Sequence, residues 1–512
     1  MGSWVFDVCR TGTCGPTSTH EGSRHRVCLA DVCHPGTPLR TLGLLPWPER
    51  AIIEAMRTIY RSEPPWPHRV LILGGGFAGV ETARNLEKLT RRRDDVEVWL
   101  VNRENFTLFT PLLPEVCSGN LEARHCVTAL RAQLRRPSSW AVTADVEGID
   151  LDAKQVIVMG GDGDHHRLNY DSLVIALGGE TATFGIKGIT QFAVGMKTLA
   201  DAFALRNRII EMLERAELET DPDQRRSQLT FVIGGAGFSG VETAGEVEDF
   251  VRRVRRRFYP KIADEELAFH IVELKDRVLP EMPVDMGEYA TKKLRGRGYE
   301  IHLGTPMREV REDGVVIGDD VFIGSRTVIW TGGVQPSPVV RESGIEVDKG
   351  GRALVATTME TSRPGVWALG DCARLPKADE EGAFHAPTAQ NAVREAKRLA
   401  KNILASIDGR PREVQPFRYT VIGVLASIGK HTGVGVVYGI RVRGWLAWFM
   451  WRGYYWSLVP GIGGKARVGL DWFANFLFGS DPVQLKVDYG ATAGMGPSGR
   501  RRPTPRSVDP RA

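Results

Sequence analysis

The chain has 512 residues, 42% hydrophobic and 25% charged, with a net charge of +5. That length suits roughly three or four domains, and the composition is that of a globular protein. So small a charge over such a length argues against a nucleic-acid partner, and no uncharged apolar run reaches the ~18 residues of a bilayer-spanning helix.

Residues 1–67 are broken up by Pro and Gly and carry no periodicity, so a disordered extension is expected. Residues 1–30 lack the apolar core of a signal peptide, and a protein that stays in the cytosol is expected. Seven cysteines, an odd count, do not suit a disulfide framework. Cys9, Cys14, Cys28 and Cys33 form two C-x4-C pairs with His20, His25 and His34 nearby, a donor set that zinc would accept. Nothing periodic surrounds them to hold a fold around an ion, and no metal site is expected.

From residue 68 strands alternate with helices, the mark of an α/β protein. RVLILGGGFAGVETARN starts at Arg69, and a near copy, TFVIGGAGFSGVETAGE, starts at Thr230. Each opens as a buried strand and turns through G-x-G-x-x-G: Gly74, Gly76 and Gly79, then Gly235, Gly237 and Gly240. A helical pattern follows, opened in the first copy by Phe77 and Ala78. The first glycine permits the tight turn, the second lets a pyrophosphate approach, and the third lets helix pack on strand. The phosphate lies on free N–H groups at the positive helix end. Two such turns imply two dinucleotides, with electrons passing between them.

VEVWLV (96–101) reads as the second strand of the first unit and is followed by Asn102 and Arg103. DSLVIALGG (171–179) is a buried strand running into Gly178. A helix over 198–217 leads to the second unit, whose second strand, AFHIVEL (268–274), carries Glu273 near its end. A carboxylate there holds both adenine-ribose hydroxyls and repels a 2′-phosphate, so NADH is expected over NADPH. Glu273 lies 33 residues past Gly240, beyond the usual ~20; a basic loop, RRVRRRFYPKIADEE, explains the excess as an insertion. At the matching place in the first unit, Asn102 can bond a ribose hydroxyl, or Glu104 can replace it.

RTVIWTGGV (326–334), with Gly333, and GVWALGDCA (365–373), with Gly370 and Asp371, each end an apolar strand in glycine. Asp371, ending a buried strand, can accept bonds from the hydroxyls of a bound dinucleotide, or else caps a helix. The run over 388–407 is an amphipathic helix with Ala389 and Gln390 at its start. Glu242, just past the second glycine turn, reads from the residues alone as an ordinary first-turn acid favoured by the helix dipole. Beyond 410 the chain turns aromatic and basic. GWLAWFMWRGYYWSL gathers Trp445, Trp448, Trp451, Tyr454, Tyr455 and Trp456, and Leu470, Phe473 and Leu477 follow at helical spacing. Such a segment suits a bilayer interface or a dimer face. The tail is small, Pro-rich and basic, and is expected to be disordered.

In their order these motifs resemble the two-dinucleotide-binding-domain flavoproteins and, within them, the type II, non-proton-pumping NADH:quinone oxidoreductases. The resemblance spans about 68–486. NFTLFTPLLPEV (105–116) is similar to that family's flavin-side loop. ALGG (176–179) and TGG (331–333) are similar to its two crossovers, LGDCA (369–373) to its flavin G-D motif, and PTAQNAV (387–393) to its A-Q motif beside flavin and quinone. It implies two Rossmann-like domains, the NADH domain (191–310) inserted in the FAD domain (68–190 and 311–409), then a C-terminal membrane- and quinone-associated region (410–486) and a tail (487–512). It also implies non-covalent FAD, NADH, and a membrane quinone as acceptor. Glu242 and Gln390 would stand near the chemistry, the location would be peripheral on the cytoplasmic face of the membrane, and a homodimer is possible. Asn102 departs from the family's usual acid, and Arg394 from the second Gln of A-Q-x-A-x-Q. Two alternatives stay open: a sulfide:quinone oxidoreductase-like enzyme, with Cys117, Cys126 and Cys372 supplying thiols, and an apoptosis-inducing-factor-like NADH-binding redox protein. A disulfide reductase is excluded, because no C-x4-C falls between 80 and 170.

Overall fold

The structure, a computed structural model, describes residues 67–161 and 163–485. The four N-terminal cysteines, their histidines and the basic tail lie outside the described residues.

β1 (His68–Leu73) turns directly into α1 (Phe77–Leu89), and β2 (Val96–Asn102) follows. After a short helix α2 (Leu113–Cys117) come β3 (Ser139–Asp150), β4 (Gln155–Gly160), β5 (His165–Asn169) and β6 (Ser172–Ile175). β7 (Ala193–Gly195) leads into α3 (Leu199–Leu218), β8 (Thr230–Gly234), α4 (Phe238–Phe258), β9 (Ala268–Val272), α5 (Val284–Gly296) and β10 (Tyr299–His302). An antiparallel meander, β11 (Met307–Arg311), β12 (Gly314–Ile317) and β13 (Val321–Gly324), precedes β14 (Thr327–Trp330). β15 (Val366–Ala368) and α6 (Ala389–Ile407) are followed by β16 (Gly423–Ser427), β17 (Gly433–Val437), β18 (Ile440–Arg443), α7 (Gly444–Leu458) and α8 (Gly461–Phe478).

Two large sheets result. One has seven strands in the order β15-β6-β1-β2-β3-β4-β5, parallel up to β3 and antiparallel beyond it. The other has five parallel strands in the order β7-β14-β8-β9-β10. Strands covered on both faces read as unbroken apolar runs; Val70–Leu73 and Phe231–Ile233 are fully buried. The expected α/β fold with two doubly wound units is therefore present. β15, far along the chain, closes the first sheet against β6. On α6, Ala392, Ala396, Leu399, Ala400 and Ile403 make the buried face, and this face packs on α1.

The basic stretch after Gly240 is not a loop. Its arginines are the last two turns of α4, so the long gap to Glu273 comes from a longer helix. Arg252 pairs with Glu248 and Asp264, and Arg255 with Asp264.

At the C-terminal end, β16, β17 and β18 form an antiparallel sheet that the sequence reading did not anticipate. α7 packs on it and α8 follows α7, and among the described residues no helix is long and apolar enough to cross a membrane. Their aromatics divide. Trp445, Phe449, Ile462, Leu470, Phe473, Phe476 and Leu477 are exposed, whereas Trp451 is buried to 2%. Trp451 is therefore not part of the outward apolar face expected of it.

Candidate functional site

The two glycine turns have the same construction. Gly74 and Gly235 sit at φ +105° and +104°, where other residues are strained. A Cβ on Gly79 would lie 1.8 Å from the Gly74 carbonyl oxygen, and one on Gly240 would lie 2.0 Å from that of Gly235. These glycines let each helix sit on its own turn. At the middle positions the space is open: a Cβ on Gly76 meets nothing within 4 Å, and one on Gly237 meets only the Glu281 carboxylate at 3.6 Å. α1 and α4 begin immediately after, with no side-chain cap and no acid in the first turn. An open approach to an uncapped helix start fits a pyrophosphate at both turns.

Each turn is tied to the next strand by one side chain. The Gly75 N–H donates to Asn102 Oδ1 at 2.8 Å, while Asn102 Nδ2 donates to the Glu104 carbonyl at 2.8 Å. The Ala236 N–H donates to Glu273 Oε2 at 2.6 Å, and the Lys275 N–H to Oε1 at 2.8 Å. Arg103 forks onto Asp145 instead, through two bonds near 3 Å. Phe77 meets Phe109 edge-on, and Ala78 lies against Gly370.

The crossovers back these turns. Ala176 presses on Gly74, and Gly332 on Gly235. Gly178 takes a positive φ of 63°, and Gly333 packs against Phe184. Beyond them, Gly179–Thr181 pairs antiparallel with Val334–Pro336. Beside the first turn, Gly370 donates its N–H to Glu395 Oε2 at 2.9 Å. Burial pushes the Glu395 carboxyl up to about 7. Burial also raises Asp371, against the pull of Lys197, whose Nζ stands 3.8 Å away. Ala389 and Gln390 start α6, capped by the Thr388 hydroxyl. Arg394 bonds the Gln390 carbonyl at 2.8 Å and lies over the Tyr419 ring.

Glu242 is buried and lies beyond the first turn of α4, so the dipole-favoured surface acid is not what the structure holds. The indole N–H of Trp451 donates to Glu242 at 2.7 Å and the Ser427 N–H at 3.4 Å. Burial nevertheless raises the carboxyl to about 8. One helical turn on, Glu246 accepts from the Ser118 hydroxyl at 2.6 Å and from Asn120 at 2.7 Å, and burial lifts it to about 7. Nearby, Glu115 accepts from Arg452 at 2.8 Å and from the Trp472 indole at 2.5 Å. These carboxyls form a buried seam between α2, α4 and the C-terminal helices. Aromatic contacts run from the first glycine turn to this seam: Phe77 to Phe109, Phe109 to Tyr455, and Tyr455 to Trp451.

Sequence reasoning placed Glu242 but missed Glu115, Glu246 and Glu395. Each sits at a helical position that accepts a solvent-facing acid equally well, and its partners are distant in the chain. Cys117, Cys126 and Cys372 are free and buried, and burial raises all three thiols. None has the exposed, electropositive surroundings of a reactive thiolate.

A family model for pyridine nucleotide-disulphide oxidoreductases matches residues 68–396. The chain is 32% identical to a type II NADH:quinone oxidoreductase of Mycobacterium tuberculosis, covering 81% of this chain and 89% of that one. It is 30% identical to a type II NADH:quinone oxidoreductase of Staphylococcus saprophyticus, covering 75% and 92%. Among solved structures, NDH2 of Plasmodium falciparum in complex with NADH has the same fold, with a TM-score of 0.75 at 20% identity over 81% of this chain and 99% of that one. A sulfide:quinone oxidoreductase of Aquifex aeolicus superposes with a TM-score of 0.61 at 16% identity, over 83% and 98%.

Proposed function

The chain belongs to the type II NADH:quinone oxidoreductases, within the pyridine nucleotide-disulphide oxidoreductase family, and from that membership we propose that it oxidises NADH and reduces a membrane quinone without pumping protons. The observation that carries this reading is the pair of open glycine turns in one chain, the second closed by an acid. FAD, held non-covalently, supplies the hydride-accepting and electron-donating chemistry when bound.

The protein's part is position and charge. Gly74, Gly76, Gly79, Asp371 and the start of α6 hold FAD, with residues 68–190 and 311–409 as its domain. Gly235, Gly237, Gly240 and Glu273 hold NADH within 191–310. Asn102 serves as the tie of the flavin turn, and its backbone bonds supply the reason. Gln390, at the positive end of α6, lies where negative charge on the flavin is stabilised. Glu242, largely protonated at neutral pH, is a proton source for a reduced quinone on the C-terminal side. The exposed aromatics of α7 and α8 favour peripheral attachment to the cytoplasmic face of the membrane. A second copy on that same face is the competing occupant, read by sedimentation with and without vesicles.

NADH should bleach the yellow of the purified protein, and a quinone analogue should restore it. Bleaching by sulfide and not by NADH would move the assignment to the sulfide reading, against which the three buried thiols argue. A bleached flavin that no quinone reoxidises would move it to the redox-sensing one.

A further inference from the structure

The five-stranded sheet carries a polar cluster that the cofactor sites do not use. His270 lies on β9, and Glu300 and His302 on the neighbouring edge strand β10. The parallel register sets His270 opposite Glu300 and Val272 opposite His302. Side chains two apart on a strand share a face, so all three project from the same side of the sheet. His270 Nδ1 is 3.3 Å from His302 Nε2 and 3.5 Å from one Glu300 oxygen, and His302 Nε2 is 3.6 Å from the other oxygen. The two imidazoles are nearly parallel, at 17° and 5.5 Å between centroids.

We propose that His270, Glu300 and His302 form a binding site for a divalent first-row transition ion of the zinc class, with a fourth position open to water. Tetrahedral bonds of about 2.0–2.2 Å place ligand atoms roughly 3.3–3.6 Å apart. The two nitrogens already stand at that spacing and each meets one Glu300 oxygen at 3.5–3.6 Å, so a turn of the exposed carboxylate completes the set. A hydrogen bond between the two rings accounts for one of these approaches, but not for a carboxylate converging on both nitrogens. Imidazole with carboxylate suits zinc, copper, nickel or cobalt, and not magnesium or calcium. The rings are mostly covered while Glu300 is 66% exposed, which gives an ion a path from solvent.

The placement also says what the ion would do. His270 precedes Glu273 by three residues, about 10 Å along the strand, so the ion would not touch the ribose site. The Glu273 N–H bonds the His302 carbonyl at 2.9 Å. An ion joining β9 to β10 would therefore brace the strands that present Glu273. The site is structural, and neither hydride transfer nor quinone reduction passes through it.

The test is Zn²⁺ titration of the full-length, FAD-loaded protein with Cys9, Cys14, Cys28 and Cys33 replaced by Ser to remove competing thiols. The expected result is one ion per chain and a thermal midpoint that rises with Zn²⁺. His302→Gln and His270→Gln should each weaken binding roughly tenfold or more, Glu300→Gln should weaken it less, and the rise in midpoint should shrink in parallel. Cu²⁺ added to the same parent should show two nitrogen couplings by electron paramagnetic resonance, and one in His302→Gln. Flavin content reports folding. If His270→Gln loses FAD, His302→Gln and the exposed Glu300→Gln decide. A parent that binds no Zn²⁺, or variants that bind it as the parent does, would overturn the proposal.

Discussion

Gly75 and Ala236 hold the same place in two turns of the same shape. Each gives its N–H to a side chain from the end of the neighbouring strand, Asn102 in one unit and Glu273 in the other. The backbone task is identical, and a neutral amide performs it as well as a carboxylate. What the carboxylate adds is charge. Charge matters where a ligand must be told apart from its 2′-phosphorylated relative. The resemblance between the units is thus a matter of geometry, and the difference between them is one of charge.

The largest effects should come from filling the open middle of each turn. Gly76→Val should give folded but colourless protein. Gly237→Val should stay yellow and lose at least roughly a hundredfold in kcat/KM for NADH, since substrate positioning supplies several powers of ten. Equal loss of FAD in both variants would show that the turns do not serve separate ligands.

Trp451→Ala comes next. It removes a buried indole and strands the Glu242 carboxyl, so unfolding should come about 3–5 kcal/mol earlier in denaturant. Trp445→Ser and Phe449→Ser, on the exposed side of the same helix, should leave stability alone and weaken sedimentation with anionic vesicles in a salt-sensitive way. A chain cut near Arg441 tests the buried side of this contrast. The cut removes Trp451, Val459 and Val468 from the core shared with the NADH unit, and FAD loss through unfolding is the expected outcome.

A change of about tenfold is expected from Glu273→Gln, which should narrow the preference for NADH over NADPH. Asn102→Asp should alter FAD affinity less. Reversal of that order would break the distinction between the two ties.

The last contrast is in pH dependence. Glu242 titrates at about 8 in the folded chain against an ordinary 4.5. The native state therefore holds the extra proton, and stability falls as pH rises from 4.5 towards 8, with the penalty complete above it. Glu242→Gln keeps an acceptor for the indole and removes that penalty. Its denaturation midpoint should gain on the parent between about pH 5 and about pH 9. Parallel profiles would place the proton elsewhere, with Glu246 the next candidate.

The fold was legible wherever chemistry is local. The helix expected over 198–217 is Leu199–Leu218, and that expected over 388–407 is Ala389–Ile407. VEVWLV forms a strand and AFHIVEL does so through Val272, because short apolar runs rich in β-branched and aromatic residues leave few alternatives. The site was legible only in part. The glycine turns and Glu273 follow from spacing, but Glu115 finds Arg452 and Trp472 more than 300 residues away. Nothing near Glu115 in the chain separates it from a solvated acid. The same holds for Trp451, whose inward turn depends on Glu242, and for His270, Glu300 and His302, which become neighbours only through strand order. Arg252 and Arg255 misled for the opposite reason: a run of charge looked like a loop, although a long helix with acidic partners carries it equally well.

The pairing of β15 with β6 also sets an order of events at the ribosome. Between Ile175 and Val366 lie about 190 residues, on the order of ten to forty seconds of translation. All five strands of the inner sheet, from Ala193 to Trp330, emerge within that interval. The strands of this sheet can thus pair while the first glycine turn still waits for β15 and α6, although Trp451, Val459 and Val468, which join the same core, come later still. Nascent chains stalled before Val366 should not take up flavin, because neither β15 nor α6 has yet been made.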